Sequence, residues 1–185
     1  LLISIDISAC KALNRLICDN NKLSGLSVSN NTSLALLSCW ENQLSSMDLS
    51  SCKELVRLDC DFNHIGSLDV SNHIMLRNLN CRMNQLSSIN VSGCTALVDI
   101  QIEGNLLSRL DFSGNNALER LVCSNNQLTS LDISKNRALS KVILRNNKNL
   151  KQVCVWTQPF PPAEMTISTT GSPDVYFTTE CSIGQ

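Results

Sequence analysis

The chain lacks an excess of either charge. Its 185 residues carry 15 basic and 16 acidic side chains, a formal net charge of -1, which argues against nucleic acid or an anionic membrane as partner. No apolar run approaches the roughly 18 residues of a membrane span, so no insertion is expected. Histidine is scarce, with only His64 and His73, and there is no Gly-rich phosphate loop, HExxH or GxSxG motif. No catalytic residue, no cofactor and no enzymatic activity is expected on these grounds. A leader is also lacking: Leu1 to Ile7 is short and has no basic stretch. Because the chain starts within a repeat, an upstream segment, signal included, is expected to have been removed.

What the chain has is a 21-residue period. Leu118 to Ala138 reads LERLVCSNNQLTSLDISKNRA, and the same pattern returns at Leu34 to Glu54 and Leu76 to Ala96. Residues 1–12 are the tail of a truncated repeat. Full repeats start at Leu13, Leu34, Leu55, Leu76, Leu97 and Leu118, and a seventh starts at Leu139 and departs at Lys148–Leu150. Positions 1, 4, 6, 11, 14 and 16 are apolar. Position 9 is Asn throughout, from Asn21 to Asn147, and position 17 is Ser from Ser29 to Ser134.

A fixed period of this length marks a solenoid. The alternation at positions 4 to 6 is that of a short half-buried strand. Stacked rungs then form a parallel sheet with strands about 4.8 Å apart. The strands should centre on Leu16, Leu37, Leu58, Leu79, Ile100, Leu121 and Val142. At position 9 the chain leaves the strand, and an Asn amide can serve the backbone of its own rung and the next. The position-17 hydroxyl can do the same on the far side. Twenty-one residues leave little room for a helix, so turns or extended segments should form the other face.

The pattern LxxLxCxxNxLxxLDxS resembles the leucine-rich repeat family in its short bacterial form, from Leu2 to about Trp156. The resemblance implies a right-handed, mainly β solenoid with a concave parallel sheet. It implies recognition through that sheet, in a protein of the bacterial surface or one that is secreted. Departures occur at Ile102 and Leu144, where Cys is usual, and at Ser27 and Asn90, where Asp is usual. The domain division expected is 1–12 for the partial repeat, 13–156 for the repeats and 157–185 for a C-terminal cap. The last segment carries Pro159, Pro161 and Pro162 and two strand-like stretches, Met165–Thr170 and Asp174–Thr179, around Gly171–Pro173. Trp156, Phe160, Tyr176 and Phe177 gather at this end, as a solenoid cap requires; a separate ligand-binding tail is the alternative.

Of the ten cysteines, Cys18, Cys39, Cys60, Cys81 and Cys123 hold position 6, and Cys10, Cys52 and Cys94 hold position 19. Cβ atoms about 4.8 Å apart on neighbouring rungs stand wider than the roughly 3.8 Å of a disulfide, so these thiols should be reduced. Cys154 and Cys181 lie outside the ladder, and a bond between them stays open. Cys52, His73 and Cys94 share one column, but thiolates two rungs apart are too far separated for one zinc, and no metal is expected. The Asp column at position 15 (Asp6, Asp48, Asp69, Asp111, Asp132) lacks a DxDxDG loop and reads as turn-forming carboxylates.

Function should lie in the columns that vary, positions 2, 3, 5, 7 and 8. Trp40, Phe62 and Met83 fall on successive rungs at one rim of the sheet, and the core does not require them. Arg57, Asp59, Asp61, Arg82, Asp99 and Glu103 surround them. Apolar anchors beside charge are typical of an interface; the plainer alternative is that Asp61, Arg82 and Glu103 pair across rungs. The function expected is non-catalytic recognition of a protein partner, host or bacterial, at an extracellular or cell-surface location. A glycan partner and a purely architectural spacer are the alternatives.

Overall fold

The computed structural model describes residues 1–181, and among these there is no helix. Rungs are numbered here from the repeat that begins at Leu13. Every strand is three residues long, because only positions 3 to 5 or 13 to 15 run straight before the chain turns. In chain order they are β1 (Arg15–Ile17), β2 (Leu36–Ser38), β3 (Arg57–Asp59), β4 (Ser67–Asp69), β5 (Asn78–Asn80), β6 (Ser88–Asn90), β7 (Asp99–Gln101), β8 (Arg120–Val122), β9 (Ser130–Asp132), β10 (Lys141–Ile143), β11 (Gln152–Cys154), β12 (Thr166–Ser168) and β13 (Tyr176–Thr178).

The position 3 to 5 strands form one parallel eight-stranded sheet, ordered β1-β2-β3-β5-β7-β8-β10-β12. The register is the repeat itself: Leu37 pairs with Leu58, Leu58 with Leu79, and Leu79 with Ile100. The strand centres match the seven expected from the sequence. The opposite face carries a second parallel sheet that the sequence reading left as turns or extended chain. It is in two parts, β4-β6 and β13-β11-β9. Between the sheets the leucine columns are wholly buried, with Leu34, Leu37, Leu44, Leu55, Leu58 and Leu76 at 0% exposure. At about 25 cal/mol per Å² of apolar surface, such columns supply the main drive to fold.

Position 9 solves the problem of the buried turn. The Asn63 amide donates to the carbonyls of Cys60 and Asp61 in its own rung, at 3.2 and 3.1 Å, and to Cys39 in the rung before, at 3.0 Å. Its oxygen accepts the Leu44 N–H at 2.9 Å. Asn42, Asn84, Asn105 and Asn126 repeat the set. The bridge therefore runs to the preceding rung, not the following one as the sequence suggested. At the C-terminal end Ser172 closes the column, its Oγ donating to Leu144 O and accepting the Asn147 N–H.

Two columns behave differently from expectation. The position-17 serines contribute chiefly their N–H groups, which donate to the position-15 carboxylates, as from Ser50 to Asp48 and Ser71 to Asp69. These bonds hold the carboxyls of Asp6, Asp48, Asp69 and Asp111 below their ordinary value. Position 19, read as a turn-side site, is buried from rung one onward. Asn31, Asn115 and Asn136 each donate to two carbonyls of the preceding rung. Cys52, Cys94 and His73 use the same acceptor column through Sγ and Nε2.

The C-terminal strands do not pair with each other. β12 extends the long sheet beside β10, and β13 extends the second sheet beside β11, so this segment adds a last turn. Trp156 meets Phe160 edge-on at 5.5 Å, and Phe160 lies 5.0 Å from Phe177; all three rings are partly buried against the core. Cys154 and Cys181 are bonded, with Cα atoms 5.5 Å apart. The other eight cysteines are free, and only Cys10 is exposed. Burial pushes the Cys18 thiol up to about 11 and Cys123 well above its ordinary value, which keeps both protonated and unreactive at neutral pH.

Two outcomes follow. Asn63→Ala strips bonds from buried carbonyls and from the Leu44 N–H, and should destabilise the chain by about 3 kcal/mol or more, read from chemical denaturation. Alkylation followed by mass spectrometry should label Cys10 alone in the native protein, eight thiols after unfolding, and the remaining pair only after reduction.

Candidate functional site

Where each strand of the long sheet ends, the chain turns through a left-handed residue. At position 8, Asn20, Glu41, Phe62, Met83, Asn125 and Asn146 have φ between 50 and 57°, and Gly104 has φ 68°. Asn and Gly are the residues that accept this conformation readily; for a bulky L-residue it costs about 1–2 kcal/mol. Four rungs obey that preference, and rungs two, three and four instead carry Glu41, Phe62 and Met83. The burden is consecutive and falls on side chains the core does not use: Phe62 is 49% exposed and Met83 50%.

The structure brings these two together. Met83 lies over the next rung, its sulfur where a Cβ at Gly104 would stand, so the glycine leaves a shelf for the thioether. Phe62, His64, Met83, Gln85 and Gly104, with Asn63 and Asn84, line a shallow depression. Trp40 is half-buried and does not line it. Its backbone N–H donates to the Asp19 carboxylate at 3.0 Å.

The charged residues divide. Asp61, which the sequence places among the charges around the rim, is 2% exposed. It accepts the Arg82 N–H at 2.6 Å and the guanidinium Nε at 2.7 Å. Burial pushes the Asp61 carboxyl up, and the bonds from Arg82 oppose that shift; the same contact raises Arg82. Asp19 and Ser124 serve their following rungs in the same way, so a small acceptor at position 7 is a structural device. Arg57 pairs loosely with Asp59 at 3.6 Å, and Asp99 with Arg120 at 3.8 Å, all on the long sheet. Glu103 is half-buried, and its carbonyl accepts the Met83 N–H.

Column reading missed Leu106, which is 49% exposed at position 10, one rung beyond Met83. Its signal was present: the other residues of that column are Lys22, Gln43, His64, Gln85, Gln127 and Lys148. Glu41 was likewise overlooked, though the Asn and Gly residues of its column mark the left-handed turn.

Metal-ligating groups are engaged elsewhere. Asp132, Cys154 and Cys181 converge within 4.8 Å, but the two sulfurs are bonded to each other, which leaves one carboxylate. Both His73 ring nitrogens face carbonyls, Nδ1 with Val70 at 2.8 Å and Nε2 with Leu49 at 3.1 Å.

No family model matches the chain, and no curated protein matches it. Solved structures do. The functional domain of InlJ from Listeria monocytogenes, described as including a cysteine ladder, matches with TM-score 0.61 and 23% identity over 93% of this chain and 47% of that one. A leucine-rich-repeat protein of Leptospira interrogans matches with TM-score 0.66 and 21% identity, over 88% of this chain and 50% of that one. A plant peptide hormone receptor, RGFR1 in complex with RGF2, matches with TM-score 0.52 and 21% identity, over 80% and 32%. The chain thus has the leucine-rich-repeat fold, and it spans about half the length, or less, of these structures.

Replacing Phe62 with Asn, the residue of rungs one, six and seven, should relieve the left-handed turn. The denaturation midpoint should rise by the equivalent of about 1 kcal/mol. A fall would show that the ring packs for stability.

Proposed function

We propose that this solenoid is a non-catalytic recognition module that binds a protein partner through the rim at Phe62 and Met83. Trp40, the charged long-sheet residues Arg57, Asp59 and Asp99, and Glu103 beyond the end of β7 form its periphery, while Asp61 orients Arg82. The observation that carries this reading is the strained turn column: bulky apolar residues occupy left-handed positions, half exposed, where Asn or Gly would be more stable. Strain kept at adjacent surface positions is characteristic of functional sites, and exposed apolar anchors ringed by polar groups are characteristic of interfaces. A similar fold in a receptor solved with RGF2 supports the reading. The Cys154–Cys181 bond supports an extracellular or surface location, since such bonds persist in oxidising compartments.

The test compares variants on one partner. A protein captured from extracellular material by the wild-type chain should be lost by Phe62→Asn and Met83→Asn, and weakened by Trp40→Ala, with no lowering of the melting temperature. Equal capture by all variants would overturn the site and favour an architectural spacer.

A further inference from the structure

The second sheet is broken at rung five, and the break holds a cavity. β6 of rung four and β9 of rung six are both paired on their outer sides, but Arg109–Asp111 between them forms no strand and pairs with neither. In the paired parts of this face the ladder is regular, as from Ser87 N–H to Gly66 O, Val70 N–H to Asn90 O, Lys151 N–H to Thr129 O and Ile133 N–H to Cys154 O. No equivalent bond joins Ser108 through Phe112 to either neighbour. Rungs one and two also lack this strand, but only here do paired strands stand on both sides of the gap.

The sequence changes at the same place. Position 13 is Gly25, Ser46, Ser67, Ser88 and Ser130 in the other rungs and Arg109 here. Position 16 is Val28, Leu49, Val70, Val91 and Ile133 elsewhere and Phe112 here, a fully buried ring in a column of aliphatics. The cavity has a volume of about 710 Å³ and is lined by Ile89, Leu110 and Leu131 together with Arg109, Asp111, Thr129, Ser130 and Asp132. That volume is in the range that takes a drug-sized ligand. Arg109 makes no ion pair among the described residues, although two carboxylates line the same cavity. Asp111 and Asp132 each commit one oxygen to a serine N–H, of Ser113 and Ser134.

We propose that this gap is a second binding site, whose ligand is a short extended peptide bearing one acidic and one basic side chain. Open peptide groups are complemented by another peptide backbone, which offers donors and acceptors at the same spacing. Half-buried Ile89 and Leu110 take side chains from one face of the peptide. Arg109 takes its carboxylate, and the uncommitted oxygens of Asp111 and Asp132 take its cation. A sugar is less well served, because no aromatic ring lines the cavity.

The repeat supplies the test variants. Arg109→Ser installs the usual residue of its column, and Asp132→Asn follows Asn90, whose amide oxygen caps the same turn, so both should fold. The probe is acetyl-Glu-Val-Lys-Val-amide at millimolar concentration, with acetyl-Gln-Val-Gln-Val-amide as its uncharged counterpart. Backbone amide resonances of Leu110, Phe112 and Ser130 should shift with the charged probe, and the Leu110 and Phe112 amides should exchange fast when free and several-fold more slowly when bound. Each variant should weaken the charged probe about 5- to 10-fold and leave the uncharged one unchanged. No shift at these amides, or equal binding of the charged probe by both variants, would overturn the proposal.

Discussion

A stacked rung cannot satisfy its own turn. At the end of each strand the backbone bends inward, and a buried N–H such as that of Leu44 finds its acceptor, Asn63 Oδ1, on the following rung. The side-chain amide at position 9 meets this need, because it offers two donors and an acceptor in a compact planar group. It reaches back one rung as well, so each turn is complete only when its neighbour is stacked. The structure depends on that reciprocity more than on any single leucine, since an unpaired buried polar group costs as much as a sizeable part of a domain's net stability. The position-19 column repeats the solution with Asn where it can, and with Cys or His where a weaker donor suffices.

The same device separates the duties of the chain. Positions 1, 4, 6, 9, 11, 14, 16, 17 and 19 hold the stack together, and positions such as 2, 3, 5 and 10 are left to vary. Position 8 lies between these classes, because its backbone is fixed and its side chain is free. Glu41, Phe62 and Met83 show that freedom being exercised against the backbone preference, and Gly104 shows the next rung making room. Position 7 shows the reverse, a column that looked variable and is partly structural, since Asp19, Asp61 and Ser124 each cap an N–H of the following rung.

Much of this was legible because the period repeats each physical constraint at a known spacing. The strand centres, the register and the Asn column could be read from identity alone. The position-19 column was not, because Cys and His interrupt it and hide that one acceptor serves all three residue types. Asp61 was misjudged for a related reason: its burial arises from the backbone of the following rung, which no spacing within one repeat shows. The second sheet escaped because serines at positions 12 and 13 carry no strand signal. Its break at Arg109 to Phe112 needed coordinates, although the two unusual residues stood in plain view.

The bonds that join rungs run along the long axis of the stack, and almost none tie together rungs that are not adjacent. A pull on the two ends therefore does not load the molecule as a whole. It peels the terminal rung, breaks one Asn bridge and one strand pairing, and frees 21 residues, or about 70 Å of slack at 3.3 Å per residue. The chain thus behaves under tension as a stepped shock absorber, paying out length in equal increments. The Cys154–Cys181 bond acts as a rivet, tying β11 to the chain beyond β13.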